Sequence, residues 1–410
     1  MIYVHIPFCK SKCIYCDFFS CPVAPGASFV DEICAEAFAR KEEIAATAAV
    51  NTLYIGGGTP SVLPLCDLGR IADACGGRYY REWTVEVNPD DISAGYARGL
   101  REQGVNRVSM GVQSLDDGML RWMNRRHDAA GARSAFASLR AAGFDNISVD
   151  IIYGVNGMSL EMLKATVEEI LSWRPEHISA YSLSVDNNST LGRMCHDGEY
   201  YEIDGDDHYY YVCSALAAAG YEHYEISNWA LPGHRAVHNS AYWTRASYVG
   251  LGPSSHSLAF DNTAIMDSVL SRLPKLHTLD GVINLSSPSA LPGHPVMPGL
   301  TGHLSAGGLR FWNSKDLHDW KLEGGEILTE REAWEEEVML GLRTIEGIPQ
   351  KLLTNVPPED EDNYTPGESL PNPQIYIDRL VHSAVPGNLR LPEDLWFTAD
   401  DTISGILDLS

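Results

Sequence analysis

The chain has 410 residues, nine of them cysteine, and a formal charge of −25 at pH 7. That length leaves room for two or three domains with ample core. The acidic balance argues against nucleic acid or an anionic membrane surface as a partner, since both repel it. No apolar stretch approaches the roughly 20 residues that cross a bilayer, so an integral membrane protein is not expected.

In chain order, the first predicted strand is Ile2–His5, too short an apolar run for a secretory signal and ended by Pro7. A disulfide framework fits short secreted chains and not this one. Free thiols and no export signal predict a cytoplasmic setting. The strand runs into His5-Ile6-Pro7-Phe8-Cys9-Lys10-Ser11-Lys12-Cys13-Ile14-Tyr15-Cys16-Asp17-Phe18. Cys34, Cys66, Cys75, Cys195 and Cys213 read as small core hydrophobes, but three cysteines within eight residues do not. A structural zinc site needs four closed ligands, and Cys21 or His5 would have to complete it. A plain electron-transfer [4Fe–4S] centre takes four cysteines. A cluster held by Cys9, Cys13 and Cys16 alone leaves one iron open for a substrate or cofactor.

Further strands are predicted at Thr52–Ile55, Trp83–Val87, Arg107–Met110, Ile147–Ile152 and His177–Tyr181, as short β-branched or aromatic runs. Between them, amphipathic stretches predict helices over Phe29–Glu43, Leu65–Ala74, Asp91–Gln103, Ala129–Ala142 and Leu160–Ser172. Gly104 and Gly143 stand where helices end. Strands alternating with helices imply α/β architecture, a parallel sheet with right-handed crossovers. Periodicity leaves open whether the sheet is flat and doubly wound or a partial barrel. Either way, functional residues belong at the C-terminal ends of strands. Polar groups do follow the strands: Gly56-Gly57-Gly58-Thr59, Glu86 and Asn88, Gln113-Ser114 and Asp150. Each alone reads as a turn or cap; together with the cysteine loop they read as one site.

The cysteine spacing, with an aromatic just before the third cysteine, resembles the radical S-adenosylmethionine (SAM) superfamily. That resemblance implies a partial (β/α)6 barrel with a smaller, mainly helical C-terminal domain, and an open iron that chelates SAM. It is closest to the branch holding oxygen-independent coproporphyrinogen III oxidases and HemW-type heme chaperones. It runs from about Ile2 to Ser257 and resumes near Arg310. Carried over by position, Cys9, Cys13 and Cys16 are the cluster ligands. SAM contacts are implied at Tyr3, Tyr15, Gly57, Gly58, Thr59, Glu86, Gln113, Arg125 and Asp150, and less directly at Ser182. A guanidinium at Arg125 suits the methionyl carboxylate.

Two features separate the branch members. The oxidase pattern has a fourth cysteine two residues after the third, where this chain has Asp17 and Phe18 and no cysteine until Cys21. The run His238-Asn239-Ser240-Ala241-Tyr242-Trp243 matches the heme-associated motif of the chaperones. Imidazole is a common axial ligand of heme iron and aromatic faces cover porphyrins, which points to His238, Tyr242 and Trp243. Core packing is the plain alternative, and His234 is a rival ligand.

The resemblance thus implies a protein that binds a [4Fe–4S] cluster, SAM and heme and passes heme to acceptor proteins, with a homodimer left open. The alternative is a radical SAM oxidoreductase acting on a porphyrinogen. A zinc-stabilised scaffold is a third class. Three regions are expected: the barrel over 1–235, the heme-motif segment and a surface insertion over 236–308, and a small domain over 309–410. In the last, helix is predicted from Thr329 to Leu342, an acidic linker over Pro357–Pro373, and a wing-like end with a short helix over Leu389–Leu407.

Overall fold

The computed structural model describes residues 1–260, 263–278, 281–284, 307–357 and 374–407. Of the region expected over 236–308, residues 261–262, 279–280 and 285–306 lie outside the described residues, as does nearly all of the Pro357–Pro373 linker. A nine-stranded sheet forms the body: β1 Ile2–Ile6, β2 Thr52–Gly57, β3 Glu82–Val87, β4 Arg107–Gln113, β5 Ile147–Tyr153, β6 His177–Ser182, β7 Glu222–Glu225, β8 Asn228–Ala230 and β9 Val249–Leu251. Its order is β7-β8-β6-β5-β4-β3-β2-β1-β9. Strands β1 to β6 pair parallel in sequence order, β9 joins β1 in parallel, and β8 turns back antiparallel on β6. All six strands expected from the sequence are present. The sheet takes in β9, a strand from beyond residue 235.

The alternation within these strands carries the architecture. Leu53 and Ile55, Trp83 and Val85, Val108 and Met110, Val149 and Ile151, Ile178 and Ala180 are buried in the apolar core. Their alternate neighbours are Thr52 and Tyr54, Thr84 and Glu86, Arg107 and Ser109, Ser148 and Asp150, His177 and Ser179. Successive side chains point to opposite faces, so one face packs on helices and the other is polar yet buried. Tyr54, Glu86, Ser109, Asp150 and Ser179 line one cavity, which requires the sheet to curl around it as a partial barrel. A barrel of this kind ordinarily fills its interior with branched aliphatics. A polar interior is the mark of a site.

Helices differ from expectation at two ends. The stretch read as Phe29–Glu43 breaks at Arg40 into Phe29–Ala39 and Lys41–Ala46. Arg40 is buried there, donating to Glu43 (2.8 Å), Glu36 (3.1 Å) and the Gly250 carbonyl (2.6 Å). Glu36 also accepts from the Trp320 indole at 2.8 Å and the Asn313 amide at 2.7 Å. It thereby ties the barrel to the C-terminal region. Asp91 belongs to a 3₁₀ turn, Pro89–Asp91, and the helix starts at Ala94 behind a Ser93 cap. Gly104 and Gly143 both take positive φ, as helix-ending glycines do.

Beyond the barrel, His256–Ala259, Leu309–Asn313 and Leu322–Ile327 pair antiparallel in a second sheet. The described part of the insertion joins it: the antiparallel strands Lys275–Thr278 and Gly281–Asn284 extend it, the first pairing parallel with Leu322–Ile327. The helix Glu330–Leu342 comes next, capped by Thr329 with Glu332 reciprocating. The expected wing takes the form of three short strands, Ile348–Pro349, Val381–His382 and Asn388–Arg390, and ends in the helix Ala399–Leu407.

Candidate functional site

At the C-terminal end of the barrel a cavity of about 400 Å³ opens beneath the cysteine loop. The loop is pinned at its neck: Cys21 N–H donates to the Pro7 carbonyl (2.7 Å) and Cys9 N–H to the Cys21 carbonyl (3.0 Å). Its tip is held by Asn124 donating to the Lys12 carbonyl at 2.8 Å and Leu191 N–H to the Ile14 carbonyl at 2.8 Å. Cys21 contributes backbone to this neck.

Cys9, Cys13 and Cys16 all line the cavity. Thr59 Oγ1 donates to Cys9 Sγ and Arg125 to Cys13 Sγ, each at 3.4 Å. Burial pushes the Cys9 and Cys16 thiols up, so a bound cation is what makes them ligands as thiolates. Among the described residues, no three His, Cys, Asp or Glu groups are gathered closely enough for a single metal ion. A cluster that takes one cysteine per iron accommodates that spacing.

The glycine run lies against this loop. Gly57 has φ +109°, and a Cβ there would meet the His5 ring at 2.5 Å. At Gly58 a Cβ would lie 2.8 Å from the carbonyl oxygens of Ile6 and Phe8. Only glycine lets β2 pass so close to the end of β1. Glu86 accepts from Tyr54 OH (2.7 Å) and Gly57 N–H (3.0 Å). Burial nonetheless pushes its carboxyl up to about 7. Asp150 is likewise raised by burial, against the hydroxyls of Ser109, Ser179 and Ser148. Gln113 carries a left-handed φ of +67° where β4 slips register against β5, a strain typical of functional strand ends. Arg125, buried above it, donates to the Gly111 carbonyl at 2.5 Å and to Asn88. Its Nε has no partner among the described residues.

Of the residues to which the sequence points, Tyr15, Gly57, Gly58, Thr59, Glu86, Gln113, Arg125, Asp150 and Ser182 share this cavity with the three cysteines. Tyr3 does not line it. Its hydroxyl pairs with His5 Nδ1 at 2.9 Å and its ring lies behind Tyr54.

The His238 run sits elsewhere. Its helix, Val237–Trp243, closes the N-terminal end of the barrel, where Glu82 accepts from the Val237 and His238 N–H groups at 2.8 Å each. His238 is 1 % exposed. Its Nδ1 pairs with Thr52 Oγ1 at 2.8 Å and its Nε2 with Tyr242 OH at 3.2 Å. Neither nitrogen is free, so in this arrangement His238 meets a metal only by giving up one of these bonds. Tyr242 stacks edge-on against Tyr248, and Trp243 is not among the cavity residues. From this run only Asn239 reaches the cavity. Asn88, read from the sequence as a strand-end polar group, lines it too; Tyr54, Arg107, Ser109, Ser179 and Tyr181 also line it, and sequence reasoning misses these five as contacts. The inward half of each strand's alternation is the signal that finds most of them.

The buried histidines make stability depend on pH. Burial lowers His238 and His223 to about 3, His127 to about 4, and His177 well below its usual value. Below the unfolded value of about 6.5 the unfolded chain binds protons that the folded chain refuses, so these groups lose stability on acidification. Glu86 and Glu225, raised to about 7 by burial, and Asp150 act in the opposite sense. They take up protons first in the folded state. The urea midpoint should therefore fall only shallowly from about pH 7 to 5 and steeply below about 4.5, where the glutamates cease to oppose. A midpoint that rises between about pH 5 and 4 would contradict this balance.

Comparison with known proteins agrees with the geometry. Residues 3–170 match the family model described as the radical SAM superfamily. The heme chaperone HemW of Lactococcus lactis is 36 % identical over 259 residues, covering 61 % of this chain and 67 % of that protein. The heme chaperone HemW of Bacillus subtilis is 30 % identical over 361 residues, 85 % of this chain and 84 % of that protein. Among solved structures, coproporphyrinogen III oxidase (HemN) from Escherichia coli superposes with a TM-score of 0.66 at 17 % identity, over 99 % of this chain and 89 % of that one. That likeness extends the shared fold through the C-terminal part.

Proposed function

Because the chain belongs to the radical SAM superfamily, and within it to the family of HemW proteins, we propose that it is a SAM-binding iron–sulfur protein that carries heme and delivers it to acceptor proteins. The observation that carries this reading is the kinship with HemW proteins along most of the chain. Asp17 and Phe18, standing where the oxidase pattern has its extra cysteine, support it.

Cys9, Cys13 and Cys16 would hold a [4Fe–4S] cluster, which when bound supplies an open iron for the amino and carboxylate groups of SAM. Around it, Arg125 offers its fork to the methionyl carboxylate. The glycine run brings backbone groups to the amino end. Glu86, Gln113 and Asp150 offer acceptors to hydroxyls and amines, and Ser182 closes the adenine side. The His238 run supports heme by resemblance, and its access to the cavity is through Asn239, while His238 and Tyr242 are engaged with Thr52 and Tyr248.

The test combines three measurements on one anoxically reconstituted sample. Iron and sulfide should reach one cluster per chain, and added heme should give a saturable Soret band. Coproporphyrinogen III with SAM and reductant should yield no protoporphyrinogen. Absence of saturable heme binding, or formation of that product, would overturn the reading. The product would move the chain into the oxidoreductase class.

A further inference from the structure

The barrel floor holds a cation with no hydrogen-bonded counter-ion. Arg107, on β4, is 1 % exposed and lines the cavity. No hydrogen bond or ion pair joins its guanidinium to any described residue, and its buried Nε lacks an acceptor. On the neighbouring strand its register partner is Thr84, whose Oγ1 is itself unsatisfied. The carboxylates sharing the lumen feel its positive field but accept their hydrogen bonds from other groups, Glu86 from Tyr54 OH and Gly57 N–H, Asp150 from the Ser109 and Ser148 hydroxyls. Asn239 reaches the same cavity from the plugging helix, its carboxamide without a partner among the described residues.

Leaving a buried charge without a hydrogen-bonded partner is costly, and a ligand of opposite charge is its natural complement. We propose that Arg107, with Asn239 lining the same cavity, is the anchor for a carboxylate reaching the floor of the cavity. A planar guanidinium fork matches a carboxylate in two parallel hydrogen bonds, and the amide adds a donor. With Glu86 and Asp150 in the same lumen, a singly charged anion is accommodated where a phosphate dianion is repelled. Two ligands of the proposed function carry that group: heme, through its propionates, and SAM, through its methionyl end, which Arg107 would then hold in place of Arg125. The heme arm rests on the heme-binding reading above.

The experiment uses the reconstituted protein and its Arg107→Met and Arg107→Lys variants, each checked for iron and sulfide. Heme, heme dimethyl ester and SAM are titrated in parallel. Arg107→Met should weaken heme about 10-fold or more, the loss expected for one charge-assisted pair, while leaving the uncharged ester unchanged. A lysine at this position keeps the positive field on Glu86 and Asp150 but loses the fork, so Arg107→Lys should fall between. Weakened SAM with unchanged heme would assign the anchored carboxylate to SAM. Equal weakening of heme and its ester would reduce Arg107 to a packing residue and overturn the proposal, as would three unchanged affinities at full cluster content. If the wild-type chain binds no heme, the heme-carrier reading fails by itself, and an unchanged SAM affinity in Arg107→Met then overturns the anchor as well.

Discussion

Replacing Cys13 with alanine should abolish the brown chromophore of the reconstituted protein and the EPR signal of its reduced form. The effect is expected to be near complete, because each cysteine of such a loop serves a different iron and no spare thiolate stands in reserve. Cys21 is the nearest other thiol in sequence, but its place in the fold is a backbone one, pairing with Pro7 and Cys9 at the loop's neck. Cys21→Ala should therefore retain iron, sulfide and signal, as should Cys34→Ala and Cys213→Ala. Full cluster content in Cys13→Ala would sink the assignment of all three ligands.

The second large effect is expected at Arg125. Its guanidinium is buried with only neutral or sulfur acceptors, Gly111 and Asn88 on one side and Cys13 Sγ on the other. Truncation to alanine removes a charge-assisted pair with the SAM carboxylate, worth roughly 1.5–3 kcal/mol, about 10- to 150-fold in affinity. Since Arg125 also steadies Cys13, iron and sulfide must be measured on the same sample. SAM-induced change in the reduced-cluster EPR spectrum should then require far higher SAM concentrations. Arg125→Lys should recover part of the affinity through charge without the fork. An unchanged dissociation constant at full cluster content would remove Arg125 from the site.

Much of this arrangement is legible in the sequence because strands announce themselves by alternation and loops by glycine. Trp83–Val87 and Ile147–Ile152 reveal both a core face and a polar face, and the later polar members, Glu86 and Asp150, fall into the cavity as the strand-end rule requires. Local signals mislead where a long-range partner intervenes. The amphipathic stretch after Phe29 runs on past Arg40, yet Arg40 is recruited by Gly250 and Ser257, far along the chain. No periodicity encodes that contact. His238 reads as a ligand because imidazoles often are, but its two nitrogens are claimed by Thr52 and Tyr242, a fact only the fold supplies. Arg107 is legible as part of a strand but not as a cavity residue. Its inward direction follows from register, and its lack of a partner is invisible in a linear chain. Short strands such as β8 and β9, three residues each, offer too few positions for alternation to register.

The two-faced strands also divide the work of evolution. Cohesion rests on Leu53, Val85, Val108, Val149 and Ile178, while Tyr54, Glu86, Ser109, Asp150 and Ser179 face the lumen. The two sets interleave one residue apart. Exchanging a lumen residue for another polar one leaves the aliphatic layer untouched, so ligand preference can drift while the scaffold persists. A one-residue slip of any strand would swap the sets, turning Glu86 or Asp150 into the helices and aliphatic side chains into the lumen. Point substitution is therefore an open road to new ligands in this scaffold, and insertion within a strand is a closed one.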